Sequence, residues 1–282
     1  MPNRIIRKER LIPGRTSKLI VEGPQIAAKA LPGNFVILRV AGHGERIPLT
    51  IADVDTEAGT FTLVYLVMGK TTRSLEDLNE GDEIHDVCGP LGRPTHIARC
   101  GKVVCMGGGT GIAAMHHIAK GHHQAGNHVI AIIGARSRDL LLFEEELRQV
   151  ADELLISTDD GSCGVKGFVT DILNGLLEKD NAICEVIAVG PVPMMEAVSK
   201  ATLPFGVKTT VSLNPIMVDG MGMCGACRVS VNNETKFACV EGPEFDGHQV
   251  NFAELRQRLA TFTDQEQTSL ELYRCACHEK HS

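Results

Sequence analysis

Three cysteines and one aspartate near the C-terminal end of the chain have the spacing of metal ligands. Asp219, Cys224, Cys227 and Cys239 form the pattern D-x4-C-x2-C-x11-C. A plant-type iron-sulfur cluster uses C-x4-C-x2-C followed by a distant cysteine, and Asp219 stands where the leading cysteine would be. A carboxylate is a harder ligand than a thiolate but completes the coordination of an iron, so the pattern favours a [2Fe-2S] cluster. A structural zinc site is the alternative, because C-x2-C pairs commonly bind zinc.

A glycine-rich segment in the middle of the chain has the composition of a diphosphate-binding turn. Its residues are Gly107, Gly108, Gly109, Thr110 and Gly111. They follow the apolar run KVVCM and open a helical stretch, where backbone without Cβ atoms approaches a pyrophosphate and the helix N-terminus supplies N–H groups. Ile112 occupies the position of the third glycine in G-x-G-x-x-G, so a tight strand-to-helix turn without a ligand is the alternative.

The strand after this loop leaves the choice between NAD and NADP open. No acidic residue follows that strand to bind the ribose of NAD, and Arg136 lies just beyond Gly134 instead. An arginine at this place binds a 2′-phosphate, stacks on adenine or forms a surface ion pair with nearby glutamates.

Two short segments in the first third of the chain combine a cation, hydroxyl groups and a helix start. One is R-x-P-L-T, from Arg46 to Thr50, and the other is G-K-T-T, from Gly69 to Thr72. A flavin dinucleotide needs a cation and helix-terminal N–H groups for its pyrophosphate, and a donor near the flavin N5 atom. A plain surface arginine and a plain helix N-cap are the alternatives.

The elements that must position these residues fall into three parts. In residues 1–98, six runs rich in β-branched and aromatic residues predict an antiparallel barrel, with one helix inserted at TTRSLEDL. Residues 99–212 alternate strand, glycine loop and helix, which predicts a doubly wound parallel sheet. Residues 213–282 begin with a stretch too poor in apolar residues to build its own core, followed by the predicted helix FAELRQRLATF and a polar tail. The predicted fold is therefore a β-barrel, an α/β nucleotide-binding sheet and a small C-terminal iron-sulfur loop domain.

Composition and charge restrict the class of protein. The 282 residues are 43% apolar and 22% charged, which is typical of a soluble globular chain with two ordinary cores. The net charge of -7 argues against nucleic acid as a partner, because nucleic-acid binders neutralise phosphates with clustered cations. No run approaches the roughly 20 apolar residues needed to span a bilayer, and the N-terminus lacks a signal-peptide core, so we expect a cytoplasmic protein.

The remaining cysteines and histidines receive simpler interpretations. Ten cysteines in a reducing compartment bind metal more often than they pair as disulfides. Five histidines between His116 and His128 crowd one predicted helix and its exit without an H-E-x-x-H motif, so we expect them to form a solvated face. We expect the tail, which contains Cys275, Cys277, His278 and His281, to be disordered rather than to bind a metal.

Taken together, these motifs resemble one known family. R-x-P-L-T and G-K-T-T in a six-stranded barrel, GGGTG and Val189-Gly190-Pro191 in the sheet, and the D-x4-C-x2-C loop are similar to ferredoxin-reductase-type electron-transfer subunits. Asp219 in place of the first cysteine resembles the small subunits of NADH-dependent reduced ferredoxin:NADP oxidoreductase, also described as sulfide dehydrogenase. Val189 stands where relatives of the dihydroorotate dehydrogenase subunit usually carry cysteine.

The resemblance implies three sets of site residues. FAD would be bound by Arg46, Pro48, Leu49, Thr50, Tyr65, Leu66, Val67, Gly69, Thr71 and Thr72. The nicotinamide nucleotide would be bound by Gly107, Gly108, Gly109, Thr110, Gly111, Arg136, Asp159, Gly190, Pro191 and Met194. The cluster would be held by Asp219, Cys224, Cys227 and Cys239. The resemblance implies that Thr50 lies near the flavin N5 atom and that no side chain acts as a catalytic group beyond the cofactors.

The implied function is electron transfer between NAD(H) or NADP(H), FAD and a [2Fe-2S] cluster. The resemblance also implies a heteromer with a larger flavin and iron-sulfur partner subunit, as in flavin-based electron bifurcation. An electron-transfer subunit of dihydroorotate dehydrogenase is the first alternative. A zinc-stabilised module that binds nucleotide without turnover is the second.

Overall fold

The computed structural model describes residues 3–179 and 182–281, with side chains described as far as residue 275. Its strands form two seven-stranded sheets and one two-stranded sheet. Within the described residues, no helix is both long enough and apolar enough to cross a lipid bilayer.

The N-terminal strands form an antiparallel barrel. Its elements are β1 (Asn3–Ile12), β2 (Thr16–Glu22), α1 (Pro24–Ala27), β3 (Phe35–Arg39), β4 (Arg46–Asp55), β5 (Thr60–Leu66), α2 (Lys70–Asp77), β6 (Glu83–Ile84) and β7 (Asp86–Leu91). The strand order is β6-β1-β2-β5-β4-β3-β7. The sixth predicted run, DEIHDV, divides at His85, so β6 pairs with β1 and β7 pairs with β3 at the opposite end of the sheet. One kinked segment therefore supplies both ends of the nearly closed barrel. The predicted antiparallel barrel with its inserted helix is confirmed, and its sixth run forms two strands instead of one.

Alternating side chains fill the interior of the barrel. Phe61, Leu63 and Tyr65 of β5 are buried, as the period of two along a strand requires. Leu75 of α2 is fully buried in the same core. This contact fixes α2 on the barrel and positions its first turn shortly after the end of β5.

The middle of the chain forms a parallel sheet with helical connections. Its elements are β8 (Lys102–Gly108), α3 (Gly111–Gln124), β9 (His128–Ala135), α4 (Glu144–Val150), β10 (Glu153–Thr158), β11 (Val165–Lys166), α5 (Val169–Lys179), β12 (Ile183–Val189), α6 (Val192–Thr202) and β13 (Lys208–Ser212). The parallel strands follow the order β11-β10-β9-β8-β12-β13. The chain moves outward from β8 on one side and later returns to its other side at β12. The carboxyl ends of β8 and β12 therefore form the switch point at which sheets of this kind bind ligands.

The third segment contains a hairpin that brings distant cysteines together. Its elements are β14 (Arg228–Val231), β15 (Glu234–Phe237), α7 (Ala238–Glu241), β16 (Glu244–Asp246), α8 (Phe252–Leu259) and α9 (Thr263–His281). Asn232 and Asn233 both have positive φ, as in a two-residue type I′ turn, and this turn sets the register of β14 and β15. Because the two strands pair along their full length, Cys227 and Cys239 flank the open end of the hairpin.

The hairpin shares the core of its neighbours, as its low apolar content requires. Val229 and Val231 are buried in the same hydrophobic cluster as Val211 of β13 and Phe35 of β3. Strand β16 pairs antiparallel with β13 and extends the parallel sheet. The iron-sulfur segment is therefore held in place by both larger parts of the molecule.

The expectation that the five histidines form a solvated face holds for His123 and His128, which are exposed, and is wrong for the other three. His116, His117 and His122 on α3 are only 6%, 5% and 0% exposed. His117 Nδ1 donates to the carbonyl oxygen of Ile51 on β4 at 3.1 Å. Helix α3 is covered by the barrel as well as by the sheet, and these three histidines are buried as a result.

The C-terminal tail is helical, and the expectation of disorder is wrong. Helix α9 packs on α2, where the Tyr273 hydroxyl donates to the carboxylate of Asp77. Three side chains of the tail lie outside the described part of the chain: Cys277, His278 and His281.

Candidate functional site

A cavity of about 850 Å³ lies where the barrel, the parallel sheet and the third segment meet. Its wall includes Thr50 of β4, Gly109 after β8 and Met217 of the third segment. Small-molecule and cofactor pockets occupy about 300–1,000 Å³, so this cavity has room for large ligands. It joins the predicted flavin and nucleotide sites in one space.

Most of the predicted FAD residues line the barrel wall of this cavity. They are Pro48, Leu49, Thr50, Tyr65, Leu66 and Thr72. The Tyr65 hydroxyl donates to the carboxylate of Glu76 at 3.0 Å. Burial and the neighbouring Glu76 raise the pKa of Tyr65 well above its usual value. The Tyr65 hydroxyl is therefore held by Glu76, a residue that does not line the cavity.

Four predicted FAD residues do not line the cavity. They are Arg46, Val67, Gly69 and Thr71. Arg46 Nε donates to the carbonyl oxygen of Val218 at 2.7 Å, which joins the barrel to the third segment. The buried Thr71 hydroxyl donates to the carboxylate of Glu45 at 2.7 Å. Both side chains have protein partners that a phosphate would have to replace.

The cavity wall contains a cation that the sequence analysis did not identify. Arg15 lies between β1 and β2, and its carbonyl oxygen accepts the N–H of Val67 at 2.7 Å. This bond brings Arg15 beside the segment that leads into α2, where Thr72 lines the same wall. An arginine beside a helix N-terminus is a combination that binds diphosphate. The run PGRTS identifies the turn, but only the barrel topology shows which helix Arg15 approaches.

The opposite wall contains all predicted nucleotide residues except Gly107. They are Gly108, Gly109, Thr110, Gly111, Arg136, Asp159, Gly190, Pro191 and Met194. These residues come from the carboxyl ends of four neighbouring strands, β8, β9, β10 and β12. The sequence-predicted loop and the switch point of the sheet therefore coincide at the cavity.

Gly111 accounts for the departure from the G-x-G-x-x-G motif. A Cβ atom at residue 111 would lie 2.4 Å from the carbonyl oxygen of Val189, at the end of β12. The close approach of helix and strand that the third glycine of the motif permits is thus made at Gly111. Ile112 is fully buried and can therefore be apolar without obstructing the loop.

Three side chains of different chemistry form the part of this wall that lies beyond β8, next to β9 and β10. Arg136 follows β9, Asp159 follows β10, and Phe168 directly precedes α5. Phe168 is 65% exposed, and the sequence analysis did not identify it as a site residue. A cation, a carboxylate and an exposed ring are groups that bind phosphate, ribose hydroxyls and an adenine face, respectively.

The predicted cluster ligands lie on a glycine-rich loop and the adjoining hairpin. Cys227 and Cys239 are buried, and their sulfur atoms lie 3.1 Å apart without a disulfide bond. Cys224 is exposed on the loop itself. Gly220 has a φ of 76°, and a Cβ atom there would lie 2.6 Å from Leu91 of β7. The loop can approach the barrel this closely only with glycine at that position.

The carboxylate of Asp219 organises the backbone of the loop. It accepts the N–H groups of Met221, Met223 and Cys224 at 3.0, 2.9 and 2.8 Å. These bonds hold the pKa of Asp219 below its usual value, because they favour the charged form. Burial and a neighbouring thiol raise the pKa of Cys239 to about 12. An anionic carboxylate and three thiols are ligand types that iron accepts, with loss of the thiol protons on binding.

The described residues do not form a compact site for a single metal ion. Among them, no three histidine, cysteine, aspartate or glutamate side chains converge within reach of one ion. The four ligands of a wider two-iron cluster stay a prediction.

Comparison with known proteins gives the family. Residues 214–251 match the iron-sulfur cluster binding domain of dihydroorotate dehydrogenase B, and residues 105–200 match the oxidoreductase NAD-binding domain. The electron transfer subunit homolog of dihydroorotate dehydrogenase B (NAD(+)) from Thermotoga maritima is 49% identical over 254 residues, which cover 90% of this chain and 89% of the relative. The chain belongs to the family of dihydroorotate dehydrogenase B electron-transfer subunits. A member from Bacillus caldolyticus is 33% identical over 255 residues, covering 87% of this chain and 96% of the relative.

Solved structures extend this comparison. A chain of NADH-dependent reduced ferredoxin-NADP oxidoreductase, studied for flavin-based electron bifurcation, matches with a TM-score of 0.91 and 44% identity, covering 97% of this chain and 98% of that chain. A ferredoxin NADP+ reductase from Neisseria gonorrhoeae with bound FAD and NADP shares the fold, with a TM-score of 0.59 and 15% identity over 73% of this chain and 91% of that chain. The resemblance to ferredoxin-reductase-type electron-transfer subunits is confirmed, and the iron-sulfur family match removes the basis for the zinc alternative.

Proposed function

We propose that this chain binds FAD and a [2Fe-2S] cluster and transfers electrons between NAD(H) or NADP(H) and a larger partner subunit. The complete enzyme would be a bifurcating NADH-dependent reduced ferredoxin:NADP oxidoreductase. The observation that carries this proposal is the single cavity, which is lined by the barrel, by the nucleotide loops and by the start of the iron-sulfur segment. A relay between three redox groups requires such proximity.

The short distance from the cavity to the cluster loop supports direct transfer. Met217 lines the cavity and precedes Asp219 by two residues, so their Cα atoms lie no more than about 7 Å apart. Between them, the carbonyl group of Val218 accepts the hydrogen bond from Arg46 on β4. This bond holds the ligand loop against the strand that carries the predicted flavin residues.

The barrel wall has the groups that a flavin requires. Pro48, Leu49 and the ring of Tyr65 supply apolar surface that excludes water, and Thr50 supplies a hydroxyl for the N5 region. Arg15 and the first turn of α2 would bind the diphosphate, in place of the Arg46 contact implied by the resemblance. When bound, the flavin exchanges a hydride with nicotinamide and single electrons with an iron-sulfur cluster.

The sheet wall has the groups that a nicotinamide nucleotide requires. The loop from Gly108 to Gly111 would bind the pyrophosphate, and Gly190 with the following Pro191 would leave room for the nicotinamide ring at the end of β12. Arg136, Asp159 and Phe168 would bind the adenosine half. The flavin and nicotinamide would then meet in the centre of the cavity.

The likeness to the reduced ferredoxin-NADP oxidoreductase chain favours this complex over the orotate enzyme. That match is 44% identical and covers nearly the whole of both chains. The 49% identical relative from Thermotoga maritima is named a homolog of the dihydroorotate dehydrogenase B subunit, and the relatives from Fusobacterium nucleatum and Bacillus caldolyticus that carry this name without the word homolog are 31% and 33% identical. Asp219 also differs from an all-cysteine plant-type ligand set. The second candidate, an electron-transfer subunit of dihydroorotate dehydrogenase, is favoured by the family match of residues 214–251.

The first experiment measures the cofactors. The chain is purified without oxygen, and FAD, iron and acid-labile sulfide are determined per chain, followed by titration with NADH or NADPH. We expect one flavin and two irons with two sulfides, and bleaching of the visible spectrum by one of the nucleotides. Cys227→Ser should lose iron and sulfide, whereas Cys88→Ser, at an exposed cysteine outside the loop, should retain both. A colourless chain that contains zinc would contradict the proposal.

The second experiment separates the two complexes. The tagged chain is recovered from its native cells, and the copurifying subunit is identified and assayed. A larger flavin and iron-sulfur subunit, with reduced ferredoxin- and NADH-dependent reduction of NADP, is the expected result. A partner that oxidises dihydroorotate with NAD would establish the second candidate instead.

A further inference from the structure

Two cysteines far from the cluster loop are close enough to be covalently joined. Cys100 and Cys184 are paired as a disulfide over a sequence separation of 84, with their Cα atoms 6.3 Å apart. This separation lies in the range of about 4.4–6.8 Å found for disulfides. We propose that Cys100 and Cys184 form a reversible disulfide, a modification site that acts on the stability of the nucleotide sheet and is separate from the electron-transfer chemistry.

The pair results from the topology of the sheet rather than from sequence proximity. Lys102 at the start of β8 pairs with Ile183 at the start of β12. Cys100 and Cys184 lie within two residues of this pair, so the parallel pairing brings them together. The sequence does not predict this pairing, because Cys100 and Cys184 lie far apart in the chain and outside any motif. Metal binding was the role expected of the clustered cysteines. Other described cysteines remain free: Cys88, Cys105, Cys163, Cys224, Cys227, Cys239 and Cys275.

Each cysteine has contacts that do not depend on the sulfur-sulfur bond. The side-chain oxygen of Asn127 accepts the N–H groups of Cys100 and Gly101 at 2.8 and 3.1 Å, which fixes the backbone there. Asn127 is itself 4% exposed and donates to the carbonyl group of Ala98 at 2.9 Å. The sulfur of Cys184 lies 3.0 Å from the carbonyl oxygen of Lys102, so the reduced thiol has an acceptor. Both oxidation states therefore fit the same backbone.

The exposure of the pair permits exchange with a small-molecule disulfide of the glutathione class. Cys100 is exposed and Cys184 is half-buried. The Cys100 thiolate attacks one sulfur of the small disulfide, which forms a mixed disulfide and releases one small thiolate. The Cys184 thiolate then attacks the sulfur of Cys100, which closes the protein disulfide and releases the second small thiolate. The two protein thiols lose two electrons and two protons, and the small disulfide gains both.

The position of the bond determines its effect. It joins the amino ends of β8 and β12, whereas the nucleotide loops lie at their carboxyl ends, seven residues and roughly 20 Å away. The bond closes a long loop of the unfolded chain and therefore favours the folded state. We expect oxidation to stabilise the sheet and to leave the turnover number unchanged.

The test uses the full chain with its cofactors, equilibrated without oxygen in a series of glutathione redox buffers. Free thiols are alkylated with iodoacetamide and the digest is read by mass spectrometry. We expect Cys100 and Cys184 to become protected together as the buffer becomes more oxidising, while Cys88 remains alkylated. The oxidised protein should unfold about 5–10 °C higher than the reduced protein, and turnover with an artificial electron acceptor should stay the same.

Two variants make the test specific. Cys100→Ser should abolish both the protection of Cys184 and the increase in unfolding temperature, and Cys88→Ser should change neither. The proposal is overturned if Cys100 and Cys184 are alkylated across the whole series, if either pairs with another cysteine, or if wild type and Cys100→Ser respond alike. Because alkylation and unfolding are read without the electron-transfer assay, a failure here is distinguishable from a failure of the proposed function.

Discussion

At the scale of single residues, Asp219 has two roles that compete for the same oxygen atoms. Its carboxylate accepts three backbone N–H groups of the loop, and one of its oxygens must also reach an iron if the proposed ligand set is correct. Each oxygen has more than one lone-pair direction, so both roles are compatible when the hydrogen bonds rearrange only slightly. The hydrogen bond between the Cys224 N–H group and the Asp219 carboxylate would then keep these two proposed ligands next to each other.

Replacement of Asp219 by cysteine tests its place in the ligand set. Asp219→Cys should retain two irons and two sulfides per chain with a shifted reduction potential, because a thiolate donates more electron density than a carboxylate. Iron and sulfide analysis and potentiometric titration with paramagnetic resonance measure both quantities. Asp160→Asn is the matched control, since Asp160 also accepts loop donors through its carboxylate but lies outside the iron-sulfur segment. Complete loss of iron and sulfide from a folded Asp219→Cys protein would contradict the assignment.

Phe168 is the residue whose role the sequence concealed most completely. It lies just before α5 and stays exposed at the cavity, and no motif in the sequence marks it. Phe168→Ala should raise the KM for the nicotinamide nucleotide about tenfold and leave kcat nearly unchanged, because it removes a stacking surface worth about 1–3 kcal/mol. Steady-state reduction of an artificial acceptor gives both constants. Phe205→Ala, at an exposed phenylalanine outside the cavity, should alter neither constant.

At the scale of elements, the contact between α3 and β12 controls the shape of the nucleotide loop. Gly111→Ala should lower the stability of the protein by about 1–3 kcal/mol, because its Cβ atom would meet the carbonyl oxygen of Val189. Nucleotide binding should weaken as well, since the start of α3 must move. Urea unfolding and fluorescence titration with NADH measure the two effects.

A glycine-to-alanine substitution in α5 should increase the stability of the protein instead of lowering it. Gly175 lies inside α5, and a Cβ atom there would meet nothing within 4 Å. Gly175→Ala should therefore stabilise the protein by about 0.5–1 kcal/mol through helix propensity, without affecting nucleotide binding. Equal effects of Gly111→Ala and Gly175→Ala would refute the role of the close approach.

Sequence patterns predict elements well where the pattern is local. The alternation of buried residues in β5 and the glycine loop before α3 follow from short runs of sequence, and the barrel and the parallel sheet follow from their succession. The burial of His116 and His117 does not, because the surface that covers α3 comes from β4, more than sixty residues earlier. The dipeptide Asn232-Asn233 was a usable signal for the β14–β15 hairpin.

The candidate site divides in the same way. The glycines and cysteines of the motifs can be read directly, because their chemistry needs particular residue types at particular spacings. The arginine that lines the barrel side of the cavity cannot be predicted in this way. Arg46 and Arg15 have the same side chain, and only the folded barrel shows that Arg15 lines the cavity while Arg46 binds the carbonyl group of Val218. The sequence between β7 and β8 likewise gives no indication that Cys100 lies next to Cys184 in the fold.

At the scale of the whole molecule, Glu244 links the barrel to the edge of the parallel sheet. It lies on β16, and the hydroxyl of Thr95 donates to its carboxylate at 2.7 Å. Burial raises its pKa from 4.5 to about 7, and the charge of Glu185 acts in the same direction. The folded state therefore favours the protonated carboxyl group, and this contribution to stability is present below pH 4.5 and is lost as the pH rises through about 7.

Glu244→Gln should therefore raise the unfolding temperature at about pH 8, and the difference from wild type should shrink toward zero near pH 4.5, where both side chains are neutral. Thermal unfolding across this pH range measures the difference. Glu234→Gln is the control, because Glu234 is exposed and its pKa is lowered by Lys236. It should not stabilise the protein at high pH. A pH-independent difference for Glu244→Gln would exclude titration of this carboxyl group as the cause.

The closure of the barrel by one kinked segment affects how the chain can associate with other chains. Strands β6 and β7 pair at opposite ends of the barrel sheet, and β6, which pairs with Asn3 and Arg4 of β1, has only two residues. In the described part of the parallel sheet, the outermost strands β11 and β16 have only two and three residues. Such short outermost strands offer little template for edge-to-edge addition of another chain, which disfavours growth into fibres.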